Sequence, residues 1–233
     1  MQTGTDVLPG DRADSGNTAM WVAGGGFVLV LFIILQIILG GSPPKLSDSA
    51  AKYASYFADK HSALLMNGLF HGIALIGSFF FFGGLVRRIA TADRTLAFVE
   101  ALSAAVTGAL VTVSVGAASA LSLPALRTLP GAASQAFYVF GTVIGSFGAF
   151  GLVAVTAVVA VASLQLGLFE RWIGWLSAGS AVLWLVTGIG VMSDSKAFTL
   201  IGLIALIVWL AWIVVLALAF WKPSQTKVAS SVA

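Results

Sequence analysis

Residues 27–39 and 201–220 carry no charged side chain, and Gln36 is the one strongly polar residue in either stretch. Runs of this kind decide the solvent before they decide the fold. In hydrocarbon every backbone N–H and C=O must find a partner within the protein, so a spanning chain has two solutions, the α-helix and the closed barrel. Barrel strands are short and alternate apolar with polar residues. These runs are long and continuous, so helices are predicted. Composition agrees. Only 9% of the 233 residues are charged, against roughly a quarter in soluble domains. The expected fold class is all-α, a polytopic transmembrane bundle of about six spans.

The spans are expected near residues 20–41, 62–86, 95–121, 134–166, 172–192 and 197–221. Residues 1–18 are polar, without an apolar period, and read as a disordered tail. The transmembrane domain covers 19–222, and 223–233 form a short C-terminal tail. Acidic residues before the first run, and its length of about 20 residues, argue for an uncleaved span rather than a signal peptide. After Gly40-Gly41-Ser42-Pro43-Pro44 a short helix is predicted up to about Lys60, capped by Ser47-Asp48. Ala50, Tyr53, Ala54 and Phe57 mark one face of it. That helix either lies in the membrane interface or packs on the spans.

Loop charge sets the orientation. Arg87, Arg88 and Arg94 crowd one very short loop, which places that loop and both termini in the cytoplasm. A plasma membrane is the expected setting. Trp21, Trp172, Trp175 and Trp221 fall near expected helix ends, where aromatic belts form. Small residues should make the helix seams, since lipid tails offer helices no hydrophobic drive to associate. Gly141, Gly145, Gly148 and Gly151 form one such stripe, and Gly68 and Gly72 another. A homodimer through these faces is the secondary use of the same pattern.

Several kinds of chemistry are excluded or disfavoured. There is no Cys, so there are no thiolate sites. His61 and His71 lie about 15 Å apart along one helix and cannot share a metal, so no metal site and no cofactor is expected. Gly24-Gly25-Gly26 lacks a P-loop lysine and means close packing. A small net charge of +3 gives no nucleic-acid footprint; membrane lipids are the expected partners. Glu100 is expected near enough to the cytoplasmic surface to reach water or Arg94, which leaves no carboxylate at mid-depth. Coupled carriers usually keep one there.

One polar group remains. Asn67 and His71 are four residues apart and share a helix face. Gln36 and Ser146 are expected at similar outer depth, together with Thr112, Ser114, Thr142 and Thr187. These side chains either satisfy one another or line an outward-facing polar pocket for a small or lipidic molecule. The function expected is accordingly non-enzymatic binding. The alternatives are a passive or weakly coupled transporter, and a membrane enzyme using His71 as a base.

The segment Gly167-Leu168-Phe169-Glu170-Arg171-Trp172-Ile173-Gly174-Trp175 resembles the signature of a bacterial six-span family known as domain of unknown function four-three-eight-six. The helix with Tyr and Phe after the first span, and Leu85-Val86-Arg87-Arg88, are similar as well. Glu170 stands where that family's pattern has Pro. The resemblance covers residues 18–222. It implies six helices and a membrane location, and supplies no catalytic residues. Physically, Arg171, Trp172 and Trp175 would anchor the fifth span at the headgroups, and Gly174 would allow a close crossing.

Overall fold

The computed structural model describes residues 10–126, 129–190 and 195–221, with side chains of the first helix described from Asn17 onward. Among these residues there are seven α-helices and no strand: α1 (Gly10–Gly40), α2 (Ala50–Asp59), α3 (His61–Ala90), α4 (Arg94–Leu121), α5 (Gly131–Leu164), α6 (Arg171–Gly190) and α7 (Lys196–Trp221). A short 3-10 turn, Pro124–Leu126, precedes α5. All but α2 are long and apolar enough to cross a membrane. The shortest of the six, α6, has 20 residues, about the 30 Å that hydrocarbon requires. α5 has 34 and must tilt or protrude.

The structure moves two boundaries. Helix α1 begins at Gly10, so residues 10–18 are helical rather than irregular. Residues 1–9, the tail 223–233, and the polar loop at 191–194 lie outside the described residues. Nor does Asp48 cap α2. The N-cap is Ser49, and the Asp48 carboxylate instead accepts from Lys45 N and Lys52 Nζ, both at 2.7 Å. Lys52, with help from the Lys45 amide, holds that carboxyl below its usual range. Helix α2 packs on the bundle. Tyr53 and Phe57 bury themselves with Leu64 and Leu121 against Tyr138. Tyr53 donates to Lys45 O, and Tyr56 donates to Gly40 O at 2.9 Å.

The six spans close into a ring in the order α1, α3, α4, α5, α6, α7, and back to α1. Glycine makes two of these seams very close. On α1–α3, a Cβ at Gly25 would sit 2.7 Å from Gly77 O, and one at Gly77 2.8 Å from Gly25 O. On α4–α5, Gly141, Gly145, Gly148 and Gly151 face Ala117, Ser114, Val111 and Thr107 in turn. The glycine stripe is thus filled by α4 of the same chain.

The nonapeptide 167–175 is the corner between α5 and α6. Gly167 has φ +65°, a left-handed turn that a side chain would strain. Gly174 lets Leu164 and Ser163 approach within 2.6 and 2.9 Å of where a Cβ would stand. Glu170 accepts from Trp172 Nε1. Trp172 and Trp175 are exposed, and so is Arg171. Arg88, at the end of α3, donates to Leu168 O at 2.8 Å, and its guanidinium lies over the rings of Phe169 and Phe220.

Candidate functional site

The ring is solid toward the Arg88 face and hollow toward the α2 face. Below, Phe81, Leu85, Val159, Trp212, Ile213 and Leu216 are fully buried in one apolar cluster. Above them lies a cavity of about 390 Å³ to which all six spans contribute. That volume falls within the roughly 300–1,000 Å³ of small-molecule pockets. Most of the wall is apolar, from Leu29, Ile33, Leu152, Val155 and Leu206. A second hollow of about 290 Å³ sits under α2, lined by Gly40, Tyr56, Ser114 and Tyr138 among others. Gln36, Ile37 and Asn67 line both hollows. Burial pushes the Tyr56 hydroxyl up to about 12, so it stays a hydrogen-bond donor at this mouth.

Helical spacing explains the wall. On α3, Asn67, His71, Ala74 and Ser78 follow one another at three and four residues. On α4, Ala104 is followed three and four residues on by Thr107 and Gly108, and these four and three residues on by Val111. Of the residues expected from sequence, Gln36, Asn67 and His71 line the cavity. Ser146 does not: its hydroxyl donates to Thr142 O within α5, and it lines neither hollow. Thr142 and Thr187 are likewise bonded to their own helices.

His71 pairs with α4 rather than with Asn67. Its Nε2 is 3.0 Å from Thr112 Oγ1, and the Thr112 hydroxyl donates to Gly108 O at 2.7 Å. A hydroxyl has one proton to give. With that proton on Gly108, Thr112 accepts from the ring, which assigns the proton to Nε2 and leaves Nδ1 as an acceptor.

Four other polar atoms around this cavity have no hydrogen-bond partner although they are buried. They are Asn67 Oδ1, Thr107 Oγ1, Trp184 Nε1 and Trp209 Nε1. The two indoles meet edge to face, with centroids 6.2 Å apart. Each such atom costs about 1–3 kcal/mol of lost hydration. Native interiors leave few of them, and here all four belong to residues that line one hollow, although the atoms themselves are covered, Thr107 Oγ1 by Gly151 of α5. The sequence reading missed Thr107, Trp184 and Trp209. The signal was present: both tryptophans stand inside their spans rather than at the ends where belts form.

Glu100 requires a correction. It was expected to reach water or Arg94. It is 0% exposed, and neither carboxyl oxygen has a partner. The cause is packing. Extending the register that sets Gly151 against Thr107 places Glu100 opposite Val158 and Val159, both buried. Ala97, one turn earlier, is buried too. The face of α4 that carries Ala97 and Glu100 therefore lies under α5.

Among the described residues no group of His, Cys, Asp and Glu could hold a metal ion. Compared with family models, curated proteins and solved structures, the chain finds no match in any of the three. The resemblance therefore rests on residues 167–175, the helix after the first span and Leu85-Val86-Arg87-Arg88 alone.

Proposed function

We propose that this chain is a non-enzymatic multi-pass protein of the bacterial plasma membrane that binds a small amphipathic molecule in the cavity between its six helices. The observation that carries this reading is an apolar hollow of about 390 Å³ to which all six spans contribute, with Gln36, Asn67 and His71 on its wall. A ligand with an apolar body and a hydrogen-bonding head would match that lining. His71 Nδ1 offers one further acceptor. The hollow approaches the α2 face, which the loop charges place outside. Membrane lipids are the natural source of such molecules.

The test uses Asn67, which lines the hollow and whose amide oxygen has no partner. Asn67→Leu deletes that amide at nearly constant volume. The variant should unfold at or slightly above the wild-type temperature, because a buried orphan disappears. It should lose most of the thermal stabilisation that single-chain amphiphiles give the wild type. Loss of stability in the ligand-free variant would mean that the amide already has structural partners, and would overturn the reading.

Orientation is tested separately. The chain contains no Cys, and Ser49, Ala92 and Ser195 are exposed. Cysteines at Ser49 and Ser195 should react with an impermeant thiol reagent applied outside cells, and one at Ala92 should not. The reverse pattern would invert the topology.

Glu100 favours a second reading, a coupled transporter. A carboxyl buried in a span is expensive, and where it occurs it often serves ion or proton movement. The enzyme alternative gains nothing comparable, because the hydroxyl beside His71 is committed to Gly108.

A further inference from the structure

Toward its Arg88 end, α3 exposes Ile76, Phe79, Phe80, Gly83, Arg87 and Ala90, one helix face. A groove runs along each side of that face. The one against α1 has about 430 Å³, and Trp21, Val22, Phe80 and Arg87 are in its lining. The one against α4 has about 720 Å³, and Leu75, Val86, Ala101, Ala105 and Gly108 are in its lining. Phe79 and Gly83 belong to both. Phe79 is the ridge between the grooves and is 66% exposed. Gly83, one turn on, is a saddle, where a Cβ would meet nothing within 4 Å. Arg87 stands a further turn, about 6 Å, beyond the saddle.

The apolar walls cannot choose among lipids, because lipid tails are as apolar as they are. Charge can. Among the described side chains, the Arg88 face carries Arg87, Arg88, Arg94 and Arg171 against Asp93 and Glu170. Asp93 accepts from the first amides of α4, and Glu170 accepts from Trp172. The one ion pair of the described residues is Lys52 with Asp48. Arg87 therefore keeps an uncompensated charge where the α1-side groove ends, and the α4-side groove ends at Val86 beside it. Trp21, 62% exposed, lies over Phe80 with ring centroids 6.2 Å apart. It is an amphipathic ring of the kind that sits among headgroups.

We infer that Arg87 binds the anionic head of a two-chain membrane lipid whose chains straddle α3 at Gly83, one in each groove. The direction fits a lipid lying in its leaflet. The charge stands near the end of the span. From it the grooves run inward, to Phe79 on the α1 side and to Leu75 and Gly108, near mid-span, on the α4 side. A guanidinium presents its donors in a planar fork that suits a phosphate. Neither Arg87 nor Gly83 lines the central cavity, so this seat can be tested apart from the cavity function.

The experiment places the full chain in nanodiscs of equal parts phosphatidylcholine and phosphatidylglycerol, and native mass spectrometry counts the lipids retained on the protein. The wild type should favour phosphatidylglycerol about fivefold, the ratio that roughly 1 kcal/mol per basic side chain near an anionic surface gives. Arg87→Gln should bring the ratio near parity. Arg171→Gln, on the same face but outside both grooves, should leave it unchanged. Gly83→Leu keeps the charge and fills the saddle. It should release phosphatidylglycerol yet still hold single-chain lysophosphatidylglycerol, which needs one groove only. Both Arg87 and Gly83 are exposed, so these variants should unfold at the wild-type temperature in pure phosphatidylcholine. Excess glycerol 3-phosphate should displace nothing, because a head without chains lacks the grooves. Equal loss of preference in Arg171→Gln would reduce the effect to diffuse attraction by the rim and overturn the inference. A wild-type ratio near parity, phosphatidylglycerol retention untouched by Gly83→Leu, or displacement by glycerol 3-phosphate would each overturn it too, and each would leave the cavity function standing.

Discussion

Gly77→Leu is expected to lower stability in detergent by about 3 kcal/mol or more, at or beyond the upper end of overpacking costs. The reason is what lies opposite. A Cβ at Gly77 would stand 2.8 Å from Gly25 O and 2.9 Å from Leu29 N, and backbone atoms cannot rotate away as a side-chain tip can. Two long helices would have to separate, and dispersion contacts along their whole seam would weaken. Gly72 lies on the same helix and meets nothing within 4 Å, so Gly72→Leu should leave stability nearly unchanged. Thermal unfolding of the two variants side by side checks this. Similar unfolding temperatures would show that α1 and α3 are not in backbone contact.

The second large effect runs the other way. Glu100→Met should stabilise the protein by on the order of 2 kcal/mol, from the desolvation of buried polar groups that lack partners. The carboxyl makes no hydrogen bond, and the described residues contain one ion pair, Lys52 with Asp48, far along the chain. Methionine keeps the length and approximate volume and removes the groups that need water. Glu100→Gln keeps a polar head and should gain little. Chemical unfolding of the three proteins provides the comparison. A marked loss of stability in Glu100→Met would establish that the carboxyl is engaged in the folded protein, and would strengthen the coupled-transport reading at the expense of simple binding.

Architecture was legible because lipid leaves so few choices. Runs such as 201–220 have one stable outcome in hydrocarbon, and the six spans stand within a few residues of where hydropathy puts them, α1 excepted. Its polar first turns have no apolar period, so nothing in the sequence distinguishes helix from coil there. The candidate site was half legible. Asn67 and His71 share a face at a spacing of four, and Gln36 stands alone in an apolar run; all three reach the cavity. Ser146 looked equivalent by depth. Depth, however, is not azimuth, and a serine can spend its proton on its own helix. Glu100 was misplaced for a related reason. Counting turns from a helix end gives distance along the axis, while exposure depends on how far the neighbouring helix extends, and α5 runs to Leu164. Nor could the sequence tell filled glycines from open ones. Gly77 and Gly83 are alike until their neighbours are placed.

Arg88 has a mechanical consequence. One guanidinium grips the Leu168 carbonyl at the α5–α6 corner, the ring of Phe169 beside it, and the ring of Phe220 near the end of α7. With its own α3, that fastens four of the six spans at a single rim, using no carboxylate that acid could discharge. Among the described residues no single side chain ties as many spans at the opposite rim; there Tyr56 holds the end of α1 by one bond to Gly40 O, and Ser119 of α4 donates to Leu64 O of α3. Thermal breathing of the ring should therefore have its pivot at the arginine rim and its amplitude at the other, like petals joined at the calyx.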